Sequence, residues 1–234
     1  MIIYIVPPMI VEIAIPELTL YPNGFPQHWL NILFLGKRPE SFKIHAIVTT
    51  YVRLVEGAYV HYRLARQCVH NLWNTHDSIA IGSHNLSATY FEDCINSMHR
   101  VVLCMKRIRG LKEVPTDLKR LFPVEPNFAT EAVAMRLRKI RDTIQHMDKD
   151  VIKGEIPEGT PFMLIATGRE TPVLDPNQPG QTLKVIDRLV IGNQELLFVD
   201  LVKWLHEMGQ CAEAISNYER VGKEETGLKH LAGT

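Results

Sequence analysis

The chain lacks an excess of charge of either sign, because its 26 Lys and Arg residues match its 26 Asp and Glu residues. With a formal net charge of +0, the protein as a whole is not drawn to nucleic acid or to an acidic membrane, so any such affinity must come from a local patch. Cysteine is also scarce, with four residues in 234 and no Cys-x-x-Cys pair. This usage excludes a disulfide-rich scaffold and indicates reduced thiols in a cytoplasmic protein.

A second absence is an uninterrupted apolar run of the ~20 residues that a membrane-spanning helix needs. The N-terminal stretch "MIIYIVPPMIVEIAIPELTL" is apolar, but prolines and glutamates interrupt it at Pro7, Pro8, Glu12, Pro16 and Glu17. It also has neither the basic n-region nor the small-residue cleavage site of a signal peptide. We therefore expect no membrane partner, and an extended segment over residues 1–40 that packs on the body of the protein.

Apolar residues recur at three- and four-residue steps in four later segments, which is the pattern of amphipathic helices. This pattern predicts helices over residues 42–74, 85–109 and 128–153, and a last helix that begins near Asp200. The apolar stripe of the third helix is Val133, Leu137, Ile140, Ile144, Met147 and Val151. Such regular spacing favours packing against other helices. The expected fold class is therefore mainly α, a four-helix up-down bundle.

Short β-branched runs interrupt the helical pattern over residues 160–197, with the turn signals "DPNQPG" and "GNQE" between them. They predict a small sheet, or a small β-hairpin insertion, before the last helix. We therefore expect three parts in the chain: the N-terminal segment over residues 1–40, a helical domain with its insertion over residues 41–220, and a flexible polar tail over residues 221–234.

The third helix carries an arginine and a histidine, Arg141 and His146, in the stretch "RDTIQH". Residues five apart on a helix project about 140° from each other, so a working site would need the same motif from a second copy of the chain. Asp142 lies about one turn before His146, so its carboxylate can reach and orient the imidazole. An oriented histidine suits general acid–base catalysis, and a guanidinium suits phosphate. Together they can cleave RNA without a metal, because a base activates the 2′-hydroxyl and a cation stabilises the charge on phosphorus.

"RDTIQH" resembles the Arg-x4-6-His motif of HEPN domains, which are compact bundles of four or five helices. The polar Asp142 after the arginine and the position late in the third long helix agree with that family. The resemblance covers residues 41–150 and the last helix. It implies a metal-independent endoribonuclease that acts as a homodimer without a cofactor, with Arg141 and His146 catalytic and Asp142 supporting. It also implies RNA and an antitoxin-like protein as partners, in toxin–antitoxin or defence systems.

The most basic local run, "MKRIRG", ends the second predicted helix. Together with Arg138 it supplies the candidate RNA-binding residues Lys106, Arg107 and Arg109, because lysine and arginine bind the phosphate backbone. The alternative is structural, since cations near the C-terminus of a helix also complement the helix dipole.

Two other interpretations remain open for the same residues. Arg141 and His146 can form a solvated helix face with ordinary pairs such as Arg138–Asp142 and Asp142–His146. The protein would then be a non-catalytic helical interaction or scaffold protein, and the motif would lie in a polar interface. A metal site near the turn after the first long helix is a weaker alternative, because the spacings match no ligand pattern and we predict none. Its candidate ligands are His61, Cys68, His70, His76, Asp77 and His84.

Overall fold

The computed structural model describes residues 2–6, 9–18, 22–36, 41–74, 79–173 and 180–231 of the chain. The protein is mainly helical and has one small sheet, which confirms the predicted class. Its helices are α1 (Gly24–Trp29), α2 (Phe42–Asn74), α3 (Ile79–Gly110), α4 (Thr116–Arg120), α5 (Glu131–Lys153) and α6 (Phe198–Leu231). Its strands are β1 (Ile2–Val6), β2 (Met9–Ile13), β3 (Ile165–Pro172), β4 (Thr182–Ile191) and β5 (Gln194–Leu197). A π-helical turn (Leu30–Phe34) follows α1, and a 3-10 turn (Asn127–Ala129) precedes α5.

The long helices follow the apolar periodicity of the sequence. The bounds of α2 match the prediction, and its buried side chains recur at three- and four-residue steps. Helix α3 begins earlier than predicted, at Ile79, and the Ser87 hydroxyl within the helix donates to the carbonyl oxygen of His84 at 2.7 Å. Helix α6 continues to Leu231, through most of the segment that we expected to be a tail.

The sheet joins parts of the chain that are distant in sequence. β2 pairs antiparallel with β1 and parallel with β4, in a register that runs from Met9↔Thr182 to Ile13↔Ile186. β3 and β5 both pair antiparallel with β4. The strands before α6 therefore pair as antiparallel hairpins, but the sheet is more than the predicted β-hairpin insertion, because it has five strands and includes β1 and β2. The N-terminal segment completes the sheet because β4 would otherwise expose an unpaired edge of N–H and C=O groups along its first half.

The chain divides into two compact units. The first, here called the sheet unit, comprises Met1–Leu18, Tyr59–Asn96 and Met135–Lys203. The second, here called the helical unit, comprises Thr19–Ala58, Ser97–Ala134 and Trp204–Thr234. No helix among the described residues combines the length and the hydropathy that crossing a membrane requires.

Aromatic side chains form much of the core of the sheet unit. The ring of Phe91 lies 6.2 Å from that of Tyr62 and 5.3 Å from that of Phe198, and all three side chains are fully buried. These contacts join α3 to α2 and to the start of α6. Ring pairs at such distances add to the free energy gained by burying apolar area.

Hydrogen bonds between distant segments hold the helical unit together, as well as apolar contacts. The Tyr51 hydroxyl donates to the carbonyl oxygen of Met208 at 3.3 Å, and the Tyr51 ring lies 5.3 Å from that of Phe122. The carboxylate of Glu207 accepts from the backbone N–H of Phe128 at 3.1 Å and from the side-chain amide of Asn127. Helix α6 therefore holds both α2 and the turn that leads into α5.

Candidate functional site

Helix α5 places its motif residues outside its buried stripe. Leu137, Ile140 and Met147 are buried and define the inner side of the helix. Arg141 is half-buried at the edge of this stripe, one residue after Ile140, whereas His146 is exposed. The predicted stripe is therefore confirmed in the middle of the helix. It does not extend to the end, because Val151 is exposed.

Asp142 binds arginines rather than the histidine. Its carboxylate lies 3.1 Å from Nη1 of Arg141 and 3.5 Å from Nε of Arg138. No hydrogen bond joins it to His146, although both residues are described. Two guanidinium groups close to one carboxylate occupy its oxygens, which explains why the pair with His146 expected from the i,i+4 spacing does not form. These pairs are partly exposed, so each contributes only about 0.3–0.5 kcal/mol to stability.

The candidate RNA-binding residues have different surroundings. Arg109 donates to the carbonyl oxygens of Val124 at 2.6 Å and Phe122 at 3.3 Å, so it holds the connector before α5. Lys106 forms an ion pair with Glu131 at 3.4 Å, and Arg107 is exposed. These three residues belong to the helical unit, and Arg138 belongs to the sheet unit. Lys106, Arg107 and Arg138 keep their charges at the surface, whereas Arg109 has a structural role.

A cavity that the sequence did not suggest lies beside α2 in the sheet unit. Its volume is about 320 Å³, and the residues that line it are Glu17, Leu18, Arg63, Arg66, Gln67 and His70. The four residues from α2 are spaced i, i+3, i+4 and i+7, which places them on one face of the helix. This spacing was visible in the sequence, but the other wall comes from residues 17 and 18, more than forty positions earlier in the chain.

The histidines and the cysteine considered for a metal site are dispersed. Among the described residues, no group of three His, Cys, Asp or Glu side chains could hold a metal ion, and His76 and Asp77 lie outside them. The His61 ring stacks on Tyr90 with a centroid distance of 6.2 Å. Burial raises the pKa of the Cys68 thiol, which disfavours the thiolate that metals bind.

No protein-family model, no curated protein and no solved structure matches this chain. The similarity of "RDTIQH" to the HEPN motif therefore remains a prediction that rests on Arg141, His146 and their place on α5. Two parts of the protein bring together charged and titratable side chains that could act on a ligand. They are the outer side of α5 and the cavity beside α2.

Proposed function

We propose that this protein is a HEPN-like, metal-independent endoribonuclease that acts as a homodimer. The observation that carries the proposal is the exposure of His146 on the outer side of α5, one helix turn and a half after the half-buried Arg141. Among the described residues, His146 has no hydrogen-bond partner. An imidazole that is open to solvent and not engaged by a neighbouring side chain can reach a substrate and exchange a proton with it.

The proposed reaction is an intramolecular transesterification at one phosphodiester of the RNA. His146 accepts the proton of a 2′-hydroxyl, the 2′-oxygen forms a bond to the adjacent phosphorus, and the bond from phosphorus to the 5′-oxygen breaks. The same His146, now protonated, then gives the 5′-oxygen its proton. Arg141 binds the non-bridging oxygens as negative charge grows on them, which is the kind of stabilisation that contributes most to such a transition state.

A second copy of the chain is required by the geometry of one helix. Arg141 and His146 diverge by about 140°, so neither a phosphate nor a ribose can contact both within one protomer. Ile152 is 84% exposed and lies about three turns after Arg141 on nearly the same side of α5, which supplies an apolar contact for a dimer. In this proposal α2, α3, α5 and α6 form an up-down bundle that presents α5.

Exposed cations on each of the two units are further candidate contacts for RNA phosphates. Lys106, Arg107 and Arg138 would bind RNA phosphates, whereas the contacts of Arg109 with backbone carbonyls assign it to the connector. By its resemblance to HEPN toxins, the protein would serve a toxin–antitoxin or defence system, and an antitoxin-like protein would cover α5.

The composite site is tested by mixing two inactive variants. Arg141→Ala and His146→Ala should each be inactive alone, because each lacks one half of every site. When the two are unfolded together and refolded, mixed dimers contain one intact Arg141 and one intact His146, so cleavage of a fluorescent RNA should return. A mixture as inactive as its components contradicts the composite site, and a wild-type protein that leaves RNA intact contradicts the ribonuclease itself.

A second candidate function, a non-catalytic interaction protein, is favoured by an exposed apolar strip. The strip comprises Leu30, Leu33, Phe34 and Leu35, on and just after the π-helical turn of the helical unit. Phe34 is 78% exposed and Leu33 is 69% exposed. Large apolar side chains that are adjacent and exposed are typical of a surface that another molecule covers, and here a second copy of the chain would do so.

The two candidates predict different dimers. If α5 forms the interface, Ile152→Ser should raise the dimer dissociation constant about tenfold or more, because burying such a side chain contributes about 1.5–3 kcal/mol, whereas Phe34→Ser should change it little. If the strip forms the interface, Phe34→Ser should raise the dimer dissociation constant and Ile152→Ser should change it little. The wild type should then not cleave RNA. Sedimentation velocity over a range of protein concentrations measures both constants.

A further inference from the structure

We propose that the cavity beside α2 is a binding site for a small molecule that carries a phosphate monoester group. The inference is independent of the proposed nuclease, because it rests on different residues, Arg63, Arg66, Gln67 and His70, on one face of α2. Two guanidinium groups, an amide and an imidazole present several hydrogen-bond donors to a single volume.

The wall opposite α2 is fixed by two hydrogen bonds. The Tyr62 hydroxyl donates to the carbonyl oxygen of Pro16 at 2.7 Å, and Nε of Arg66 donates to the carbonyl oxygen of Ile15 at 3.2 Å. These bonds hold the segment that carries Glu17 and Leu18 against the helix. The bond from Nε also orients the guanidinium of Arg66, and its two terminal nitrogens, which have no hydrogen-bond partner among the described residues, can donate to a ligand. The cavity is therefore a site whose shape is largely formed before a ligand binds.

His70 is the observation that points to a ligand. Its side chain is only 9% exposed and lines the cavity, yet neither ring nitrogen has a hydrogen-bond partner in the described part of the chain. A buried polar group without a partner destabilises the folded protein, and a ligand that accepts from the ring can recover that loss. Burial, and then the positive charge of Arg66, lowers the pKa of His70, against a smaller opposing effect of Glu17. The ring is therefore neutral near pH 7 and offers one N–H donor.

The charges and the volume select a phosphate ester. Arg63 and Arg66 place two positive charges at the cavity against the one negative charge of Glu17, which favours an anion over a cation. Guanidinium groups bind phosphate through paired hydrogen bonds, and a phosphate dianion matches two of them. About 320 Å³ lies at the lower end of the 300–1,000 Å³ range of small-molecule sites. The space beyond the phosphate would hold a hydroxylated body that donates to the carboxylate of Glu17.

The test is isothermal titration of the full chain with three probes: ribose 5-phosphate, inorganic phosphate and acetate. We expect ribose 5-phosphate to bind at least tenfold more tightly than inorganic phosphate, and acetate to bind most weakly. Arg63→Gln should weaken the binding of both phosphates about tenfold or more, because it removes one of the two guanidinium groups that would bind the phosphate. The variant should still fold, since Arg63 is exposed. The matched control is Arg53→Gln, which removes an exposed arginine of the same helix outside the cavity.

A second measurement reports on His70 directly. The ring proton signals of His70, assigned with a His70→Gln variant, should shift when ribose 5-phosphate is added and should titrate at a higher pH in its presence. Equal binding of acetate and ribose 5-phosphate, equal binding by wild type and Arg63→Gln, or His70 signals that ignore the ligand would each overturn the proposal. The measurements can be made in the His146→Ala background, so their outcome is separate from that of the ribonuclease test.

Discussion

Replacing His146 with alanine is expected to slow RNA cleavage by about 10²–10⁴-fold, which is the usual contribution of one general acid or base. Because both protomers lose the group, neither the proton of the 2′-hydroxyl nor that of the leaving oxygen can be transferred by the protein. The fold should be unaffected, since the imidazole is exposed and has no hydrogen-bond partner among the described residues. The measurement is the single-turnover rate of cleavage of a short fluorescent RNA, with protein in excess.

The matched control for this prediction is Gln145→Ala, the neighbouring exposed residue on α5. It should cleave RNA at the wild-type rate, and both variants should keep the wild-type free energy of unfolding within about 0.5 kcal/mol, as surface substitutions do. If His146→Ala cleaves as fast as Gln145→Ala, the imidazole has no part in the chemistry. A loss of cleavage that accompanies a loss of stability would instead assign His146 a structural role.

The helices could be predicted from the sequence because the spacing of apolar residues that indicates a helix lies within the helix itself. The buried positions of α2 repeat at helical steps along its whole length, so its bounds, Phe42 and Asn74, followed from the pattern alone. The polar end of α6 shows the limit of this method. Beyond Tyr218 the sequence has no apolar stripe, and yet the helix continues to Leu231, since helix formation does not require an amphipathic pattern when the residues tolerate it.

The sheet could not be predicted because its pairing is not local. The N-terminal runs that form β1 and β2 predicted extended chain, and the β-branched runs over residues 160–197 predicted short strands in the region where β3, β4 and β5 lie. Nothing in either region specifies that Met9 pairs with Thr182, since a parallel pair depends on side-chain packing and backbone hydrogen bonds between segments that meet only in the folded chain.

The candidate sites were also predicted where they depend on one helix and missed where they depend on contacts between side chains or segments. The place of His146 on the outer side of α5 followed from the helical periodicity. The partners of Asp142 did not follow, because three groups lie within its reach and only the folded geometry decides among Arg138, Arg141 and His146. The cavity beside α2 was missed for a related reason. A spacing of polar residues along one helix does not reveal which other segment will form the opposite wall.

Gly168 is the position at which the sheet tolerates a side chain least. It lies at the irregularity in β3, where the pairing with β4 shifts between Thr167 and Gly168. A Cβ atom at this position would overlap the carbonyl oxygen of Val185 and lie 2.5 Å from its carbonyl carbon. Val185 cannot move away easily, because the same residue pairs with Glu12 of β2 on its other side. Only glycine allows the two backbones to approach this closely.

Gly168→Ala is therefore expected to lower the free energy of unfolding by about 3 kcal/mol or more, the upper end of what overpacking costs, as measured by urea denaturation. The same substitution at Gly57 is the control, because a Cβ there would approach nothing closer than the Ser97 hydroxyl oxygen at 3.9 Å. In the interior of α2, Gly57→Ala should instead raise the free energy of unfolding by about 0.5–1 kcal/mol. Opposite signs for one substitution would show that the close approach at Val185, and not the loss of glycine itself, sets the cost. Equal and small effects would contradict the register that joins β3, β4 and β2.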